Sequence, residues 1–358
     1  MKIVKRIIAL VMVAILSLSL VGCLHKKNEI AVTIGDNEFT SAYYMCALVN
    51  ANMEGKQKVY ESLTADQQKE EINYYSKKID KKSFVDWVED RAIEIIKEIA
   101  SYKSLCAKNE VKLSDDLKAE AEQNVTTMWD YYGYSAYYEP NGVSRDTYAK
   151  FTEDSYYSEA YFQYLYGRGG KKELAEDKVI TEITKNYVLL DKLSITYETD
   201  ATAEEKAAAK GKLDEYAAQI KKGEKTFIQI YQAHNEMSEE EIANISKNED
   251  APVNTYATVS VAEGTSFEDA NFKTYEKYEV DVPQVVENSA NNGYELIIKR
   301  DIMADNYFVD YLDSFARHTL ADEDFKKEID ANTKKLEVEI NAYATKQFKV
   351  KKIVEPEA

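Results

Sequence analysis

Histidine is almost missing from this chain of 358 residues, which has three: His25, His234 and His318. That scarcity removes whole classes of chemistry. His234 is followed by Asn-Glu-Met-Ser and so does not open an H-E-x-x-H motif, and no histidine or cysteine pair has zinc-ligand spacing. G-x-S-x-G is absent, so no nucleophile with an attached base is assembled. A hydrolase is a poor fit, and neither a metal nor a cofactor is expected. Basic residues are outnumbered, Lys plus Arg 46 against Asp plus Glu 64, for a formal net charge of -18. A field of that sign repels polyphosphates, so no nucleic-acid partner is expected. The glycines at 167, 169 and 170 around Arg168 lack the spacing and the preceding apolar strand of a phosphate loop, and read as a turn. Acidic runs such as Ser238-Glu239-Glu240-Glu241 read as solvated helix faces, not Ca²⁺ sites. Cysteine is equally sparse: of the three, Cys46 and Cys106 fall within helix-like apolar patterns and read as buried free thiols, although an oxidising compartment leaves one disulfide between them open.

Long apolar runs are also lacking beyond residues 7–20, which follow Lys2, Lys5 and Arg6. This run falls short of the roughly 20 residues of a spanning helix and reads as a secretory signal. It ends in Leu20-Val21-Gly22-Cys23, which resembles the bacterial lipobox. That resemblance implies cleavage before Cys23, diacylation of its sulfur and anchoring on the extracytoplasmic face of a cell membrane, on a Gram-positive-type surface. Two acyl chains hold where one is marginal. Residues 1–22 are then signal and 23–30 a polar tether; losing Lys2, Lys5 and Arg6 takes the formal charge from -18 to about -21.

The remaining pattern is that of an α+β protein. IAVTIGDNEFT (residues 30–40) alternates on both sides of Gly-Asp-Asn and predicts a hairpin, with a helix from Ser41. Ser83 caps a long helix whose core face carries Phe84, Val88, Ala92, Ile95, Ile99 and Cys106, and Ser114 caps another with Asp115 and Asp116 in its first turn. Aromatics crowd residues 128–166, as in WDYYGYSAYYEP; on so acidic a chain they suit helix packing or a hydrophobic groove better than base stacking, which also needs basic residues. From residue 187 the pattern changes to a strand, YVLLDKLSITYE. A helix with a Thr202–Glu205 capping box and Leu213, Tyr216, Ala217 and Ile220 inward follows, then a short helix with Phe227, Ile230 and Tyr231. After an irregular segment comes the strand of NNGYELIIKR, with Leu296 and Ile298 on one face and Ile297 on the other. A helix through Phe308, Leu312 and Phe315 is predicted from Asp305, continuing from Asp322 to about Ala344. The terminal FKVKKIV reads as a strand whose partner is the hairpin of residues 30–40, so the two ends should meet.

In order and spacing these segments resemble the PrsA-type and SurA-type family of exported foldases. IAVTIGDNEFT resembles the family's start, CAKNEVKLSDDLKAEAEQ its helix-turn-helix phrase, and VSRDTYAKF with GGKKELAEDKVITEITKNYV the approach to its parvulin module. EEKAAAKGKLDEYAAQIKKGEKTFIQIYQ, FEDANF and VDVPQVVENSANNGYELIIKR resemble that module's helices, pocket segment and last strand. The resemblance implies a helical chaperone domain at 31–184, a parvulin-like peptidyl-prolyl isomerase domain at 185–300 and a returning segment at 301–358 that completes the first domain.

It also locates a departure. Family parvulins carry histidines in the first and last strands; here Lys192 stands at the first position and Glu295 or Leu296 at the second, and none of the three histidines matches. Phe267 matches the aromatic of the proline pocket, and the family's glycine-rich segment is replaced by APVNTYATVSVAEG. Isomerisation needs no nucleophile, only a site that lowers a barrier of about 18–20 kcal/mol by favouring the twisted amide. The resulting expectation is a membrane-anchored chaperone that binds unfolded or partly folded exported polypeptides, with weak or no isomerase activity. Phe267, Phe227, Tyr231, Trp129, Tyr131 and Tyr132 are its candidate binding residues, in a tyrosine-lined cradle. An active isomerase with an altered pocket and a scaffold for one dedicated partner are the alternatives, and assembly as a homodimer stays open.

Overall fold

The computed structural model describes residues 29–241, 257–261 and 270–356, and the chain divides into two units, Met1–Lys172 with Glu323–Ala358, and Glu173–Asp322. The class is α+β.

In the first unit Ile30–Ile34 (β1) and Asn37–Thr40 (β2) form an antiparallel hairpin. Gly35 turns it at φ +55°, where a Cβ is disfavoured. A register shift between Ile30 and Val32 lets the neighbours Ala31 and Val32 both point inward, which strict alternation forbids. Ser41–Glu61 (α1) starts at once, with the Thr40 hydroxyl accepting from the Tyr43 amide. Lys78–Ile79 (β3) and Lys82–Ser83 (β4) pair in a short antiparallel hairpin, after which Phe84–Lys108 (α2) is capped by Ser83 and buries Phe84, Val88, Ala92, Ile96 and Ile99. Ile95, expected inward, is only half-buried, because the 3.6-residue period carries the stripe through Ile96. A Cβ on Gly55 of α1 would lie 3.1 Å from the Trp87 ring and 3.2 Å from Phe84, so glycine permits α1 and α2 to approach.

Asp115–Val125 (α3) is capped by Ser114 and runs into a π turn, Thr126–Tyr131, followed later by Arg145–Ser155 (α4) and Tyr157–Tyr166 (α5). The π turn points Trp129 inward, where its ring lies 5.3 Å from Tyr148 and 6.1 Å from Tyr138. Cys46 and Cys106 are buried free thiols, and burial raises both thiol pKa values, that of Cys106 to about 12.

In the second unit Glu176–Asn186 (α6) leads into Tyr187–Thr196 (β5), then Ala203–Lys221 (α7) and Phe227–His234 (α8), each opened by a capping box, at Thr202/Glu205 and Thr226/Gln229. Ala257–Val261 (β6), Gln284–Asn288 (β7) and Gly293–Arg300 (β8) complete an antiparallel sheet in the order β6-β5-β8-β7. Two strands thus occupy sequence expected to be irregular or part of a single last strand. QVVEN has little alternation of its own and ATVSV alternates over only five residues, and pairing along β5 and β8 supplies what local pattern does not. Leu193, Leu296 and Ile298 pack with Leu213, Ala217, Phe227 and Ile230 on one face of the sheet, while Val188, Leu190 and Ile297 pack with Phe272 and Tyr275 on the other.

Asn306–Thr333 (α9) begins in this unit, where Phe308, Leu312 and Ala316 join Val179, Ile183 and Leu189. Phe315 is 47% exposed, one position off the buried stripe of residues 308, 312 and 316. Arg317 is buried, donating to Asp313 at 2.7 Å and to Glu176 at 3.0 Å.

The helix stops at Thr333, short of the expected Ala344, and Val338–Ile340 (β9) pairs with β1 across Ile34, Thr33 and Val32. The ends of the chain therefore meet in one sheet, but through VEI. FKVKKIV is not a strand: Val350–Lys352 is a 3₁₀ turn that brings Val350 and Ile353, three apart, to the same core. An extended chain would send those two to opposite faces.

Candidate functional site

Pairing between β5 and β8 places Lys192 opposite Ile297 and Ser194 opposite Glu295, so Lys192 and Glu295 are diagonal neighbours on one face of the sheet. The Lys192 Nζ lies 3.8 Å from Glu295 Oε2, 3.5 Å from the Tyr275 hydroxyl and 5.2 Å from the centre of that ring. Glu295 is 6% exposed and its Oε1 accepts from Ser194 Oγ at 3.3 Å and from Asn288 Nδ2 at 2.9 Å. The carboxylate is therefore held by one cation and two neutral donors. Ser194 donates to it, and among the described residues no imidazole is bonded to that hydroxyl. Beside it a cleft of about 420 Å³ is lined by Ser194, Thr196, Asn288, Gly293, Tyr294 and Glu295, a largely polar wall around the carboxylate. Leu296, the alternative position, is fully buried on the opposite face against α7 and α8. Glu295 is thus the residue that shares a face with Lys192.

The other sequence candidates separate. Phe227 is core, and with half-buried Tyr231 it lies on the helix-covered face of the sheet, away from the Lys192–Glu295 face. Trp129 is likewise core, in the first unit. Neither Phe227 nor Trp129 presents a surface to a ligand, a correction that follows from α8 and the π turn pointing them inward. Tyr131 and Tyr132, next to Trp129, are 81% and 62% exposed, with their rings edge to face at 5.2 Å. Phe267, Cys23 and His25 lie outside the described residues. His234 meets the Tyr216 hydroxyl at 3.4 Å, and burial, with Lys212 nearby, lowers its pKa. His318 pairs with Asp322 on its own helix at 2.7 Å.

Two features were not read from the sequence. Asn288 and Ser194 are partners of Glu295 only through strand register. On α9, Tyr307, Tyr311 and Phe315 recur every four residues and are 45%, 55% and 47% exposed, with ring centres 6.5 Å and then 5.4 Å apart. The spacing of four was the available signal, masked by the buried stripe one position later.

Among the described residues no helix is long and apolar enough to cross a membrane. No family model matches the chain, and no curated protein matches it. Among solved structures the chain is similar to the crystal structure of the foldase protein PrsA from Lactococcus lactis, at 11% identity over 90% of this chain and 99% of that one, with a TM-score of 0.36.

Proposed function

We propose that the chain is an extracytoplasmic chaperone, anchored through Cys23, which holds unfolded or partly folded exported polypeptides on exposed aromatic surface, and that its parvulin-like unit is a poor prolyl isomerase. The observation that carries the holding function is the set of outward rings, Tyr131 with Tyr132 in the first unit and Tyr307, Tyr311 and Phe315 in the second. Such rings offer large apolar faces at a low entropic cost of ordering. The poor isomerase follows from the Lys192–Glu295 pair. A site that favours a twisted amide must receive an apolar ring, and a lysine and carboxylate there keep their own partners and water.

The test is a protease-coupled assay of proline isomerisation in a short peptide, run beside suppression of aggregation of a chemically unfolded client. The mature chain should barely accelerate isomerisation yet delay aggregation at comparable molar ratio. Tyr131→Ser with Tyr132→Ser should cut that protection at least by about half without altering thermal melting, since exposed side chains contribute little to stability. Turnover that is robust and vanishes with Phe267→Ala would instead make the chain an active isomerase with an unusual pocket.

A further inference from the structure

The geometry points to a peptide-recognition site on the first unit that residues 353–356 of the same chain occupy, and that takes an extended aliphatic-X-acidic segment of another polypeptide in their place. Asn141 reads the backbone of Val354 at both polar groups: the Val354 amide donates to Asn141 Oδ1 at 2.9 Å and its carbonyl accepts from Asn141 Nδ2 at 2.7 Å. This is the pairing that a neighbouring strand supplies, and it ignores the side chain, which at Val354 is 49% exposed. The flanking positions are selective. Ile353 is buried in the core of the unit, and Glu355 Oε1 accepts from Asn52 Nδ2 at 2.9 Å while Oε2 pairs with Lys56. A buried aliphatic residue, an indifferent one held by its backbone, and an acid form a readable three-residue pattern.

Asn52 makes this more than a docked end. It is 1% exposed on α1, and among the described residues its Oδ1 has no hydrogen-bond partner. Among the described residues the carboxylate of Glu355 is what bonds its Nδ2. The cleft also continues past the carboxylate, about 420 Å³ lined by Met53, Lys56, Gln57, Tyr60, Tyr74 and Tyr137, with the Lys56 ammonium 4.8 Å from the Tyr74 ring centre. A longer ligand would meet aromatic surface there that residues 353–356 leave uncovered. On a chain of net charge -18 an acid-selecting site is a local exception to a surface that repels acidic peptides. A tethered occupant competes at high effective concentration, so the site is masked until that occupant is weakened. The aromatic surfaces of the proposed holding function are different residues, and the binding test below does not depend on them.

The test uses the full-length chain and a fluorescein-labelled peptide, Lys-Lys-Ile-Val-Glu-Pro, followed by fluorescence anisotropy. Glu355→Lys, which weakens the internal occupant, should bind the peptide at least about tenfold more tightly than the wild type. The same peptide with lysine in place of its glutamate should not bind, and adding Asn141→Ala to Glu355→Lys should reverse the gain. Where Glu355→Lys disturbs the circular dichroism spectrum, Glu355→Gln gives the same comparison in a milder form. Equal affinity of wild type and folded variant, or equal binding of the acidic and lysine peptides, would overturn the proposal.

Discussion

Replacing the Lys192–Glu295 pair tests whether that face of the sheet holds a coupled charge pair. Lys192→Met alone leaves the Glu295 carboxylate, 8% exposed as a side chain, with only the neutral donors Ser194 and Asn288. Stranding a buried charge should cost about 2–4 kcal/mol. Glu295→Leu alone costs less, about 1–2 kcal/mol, because the lysine side chain is 27% exposed, can turn towards water and keeps the Tyr275 ring. The double variant buries two apolar side chains where an ion pair stood, and should lie within about 1 kcal/mol of the wild type. Coupling between the two sites should therefore reach at least about 1.5 kcal/mol. Urea titrations of the four full-length proteins, followed by far-ultraviolet circular dichroism with comparison of m values, measure it. Single costs that add to the double within about 0.5 kcal/mol would refute the reasoning and mean that the 3.8 Å approach carries no interaction.

Two further outcomes follow from other ionisable groups. Asp154 is 2% exposed and accepts from Lys150 at 2.8 Å, Lys103 at 3.0 Å and Tyr43 at 3.4 Å, so Asp154→Ala should lower stability by about 2–3 kcal/mol in urea titration, and Asp154→Asn by less. His234 has its pKa lowered from 6.5 by burial and by Lys212, so the unfolded chain binds this proton more readily than the folded one. Its contribution is complete above the unfolded value and is lost as pH falls from there through the lowered folded value, and His234→Gln should flatten the stability curve in that window when unfolding is measured from about pH 7.5 to about pH 5.

Much of the scaffold was legible because it rests on local signals. Gly35 between alternating residues gives the β1–β2 hairpin, Thr202 and Glu205 cap α7, and the apolar run at residues 296–298 marks a strand buried on both faces. What stayed hidden depends on partners far away in sequence. Val338–Ile340 becomes a strand only beside β1, and ATVSV only beside β5, while FKVKKIV has strand composition but sits where Val350 and Ile353 must face one core. The site divides likewise. The Lys192–Glu295 approach followed from the resemblance of two strands, but the roles of Ser194 and Asn288 required the register. The bonds between Asn141 and Val354 join residues 213 positions apart, and no local pattern encodes them.

The two faces of the second unit's sheet explain how a charge pair can sit on the sheet while the fold persists. One face is closed by α7 and α8 over Leu193, Leu296 and Ile298, each at most 3% exposed. Fully burying side chains of this size is worth about 1.5–3 kcal/mol apiece, so this face alone supplies a large part of the favourable free energy of the unit. The other face keeps Val188, Leu190 and Ile297 against Phe272 and Tyr275, and Lys192 and Glu295 stand on that same face, on the two central strands, where the carboxylate is satisfied by Lys192, Ser194 and Asn288. A charge pair whose partners are supplied by adjacent strands costs folding little, whereas it alters everything about what can dock there. Under the proposed function, selection on client holding would constrain the outward rings of the two units and leave this charge pair free to diverge. A chain evolved for turnover would need an apolar pair there, at almost no difference in stability. Folding free energy therefore does not distinguish the two histories, and the isomerisation rate does.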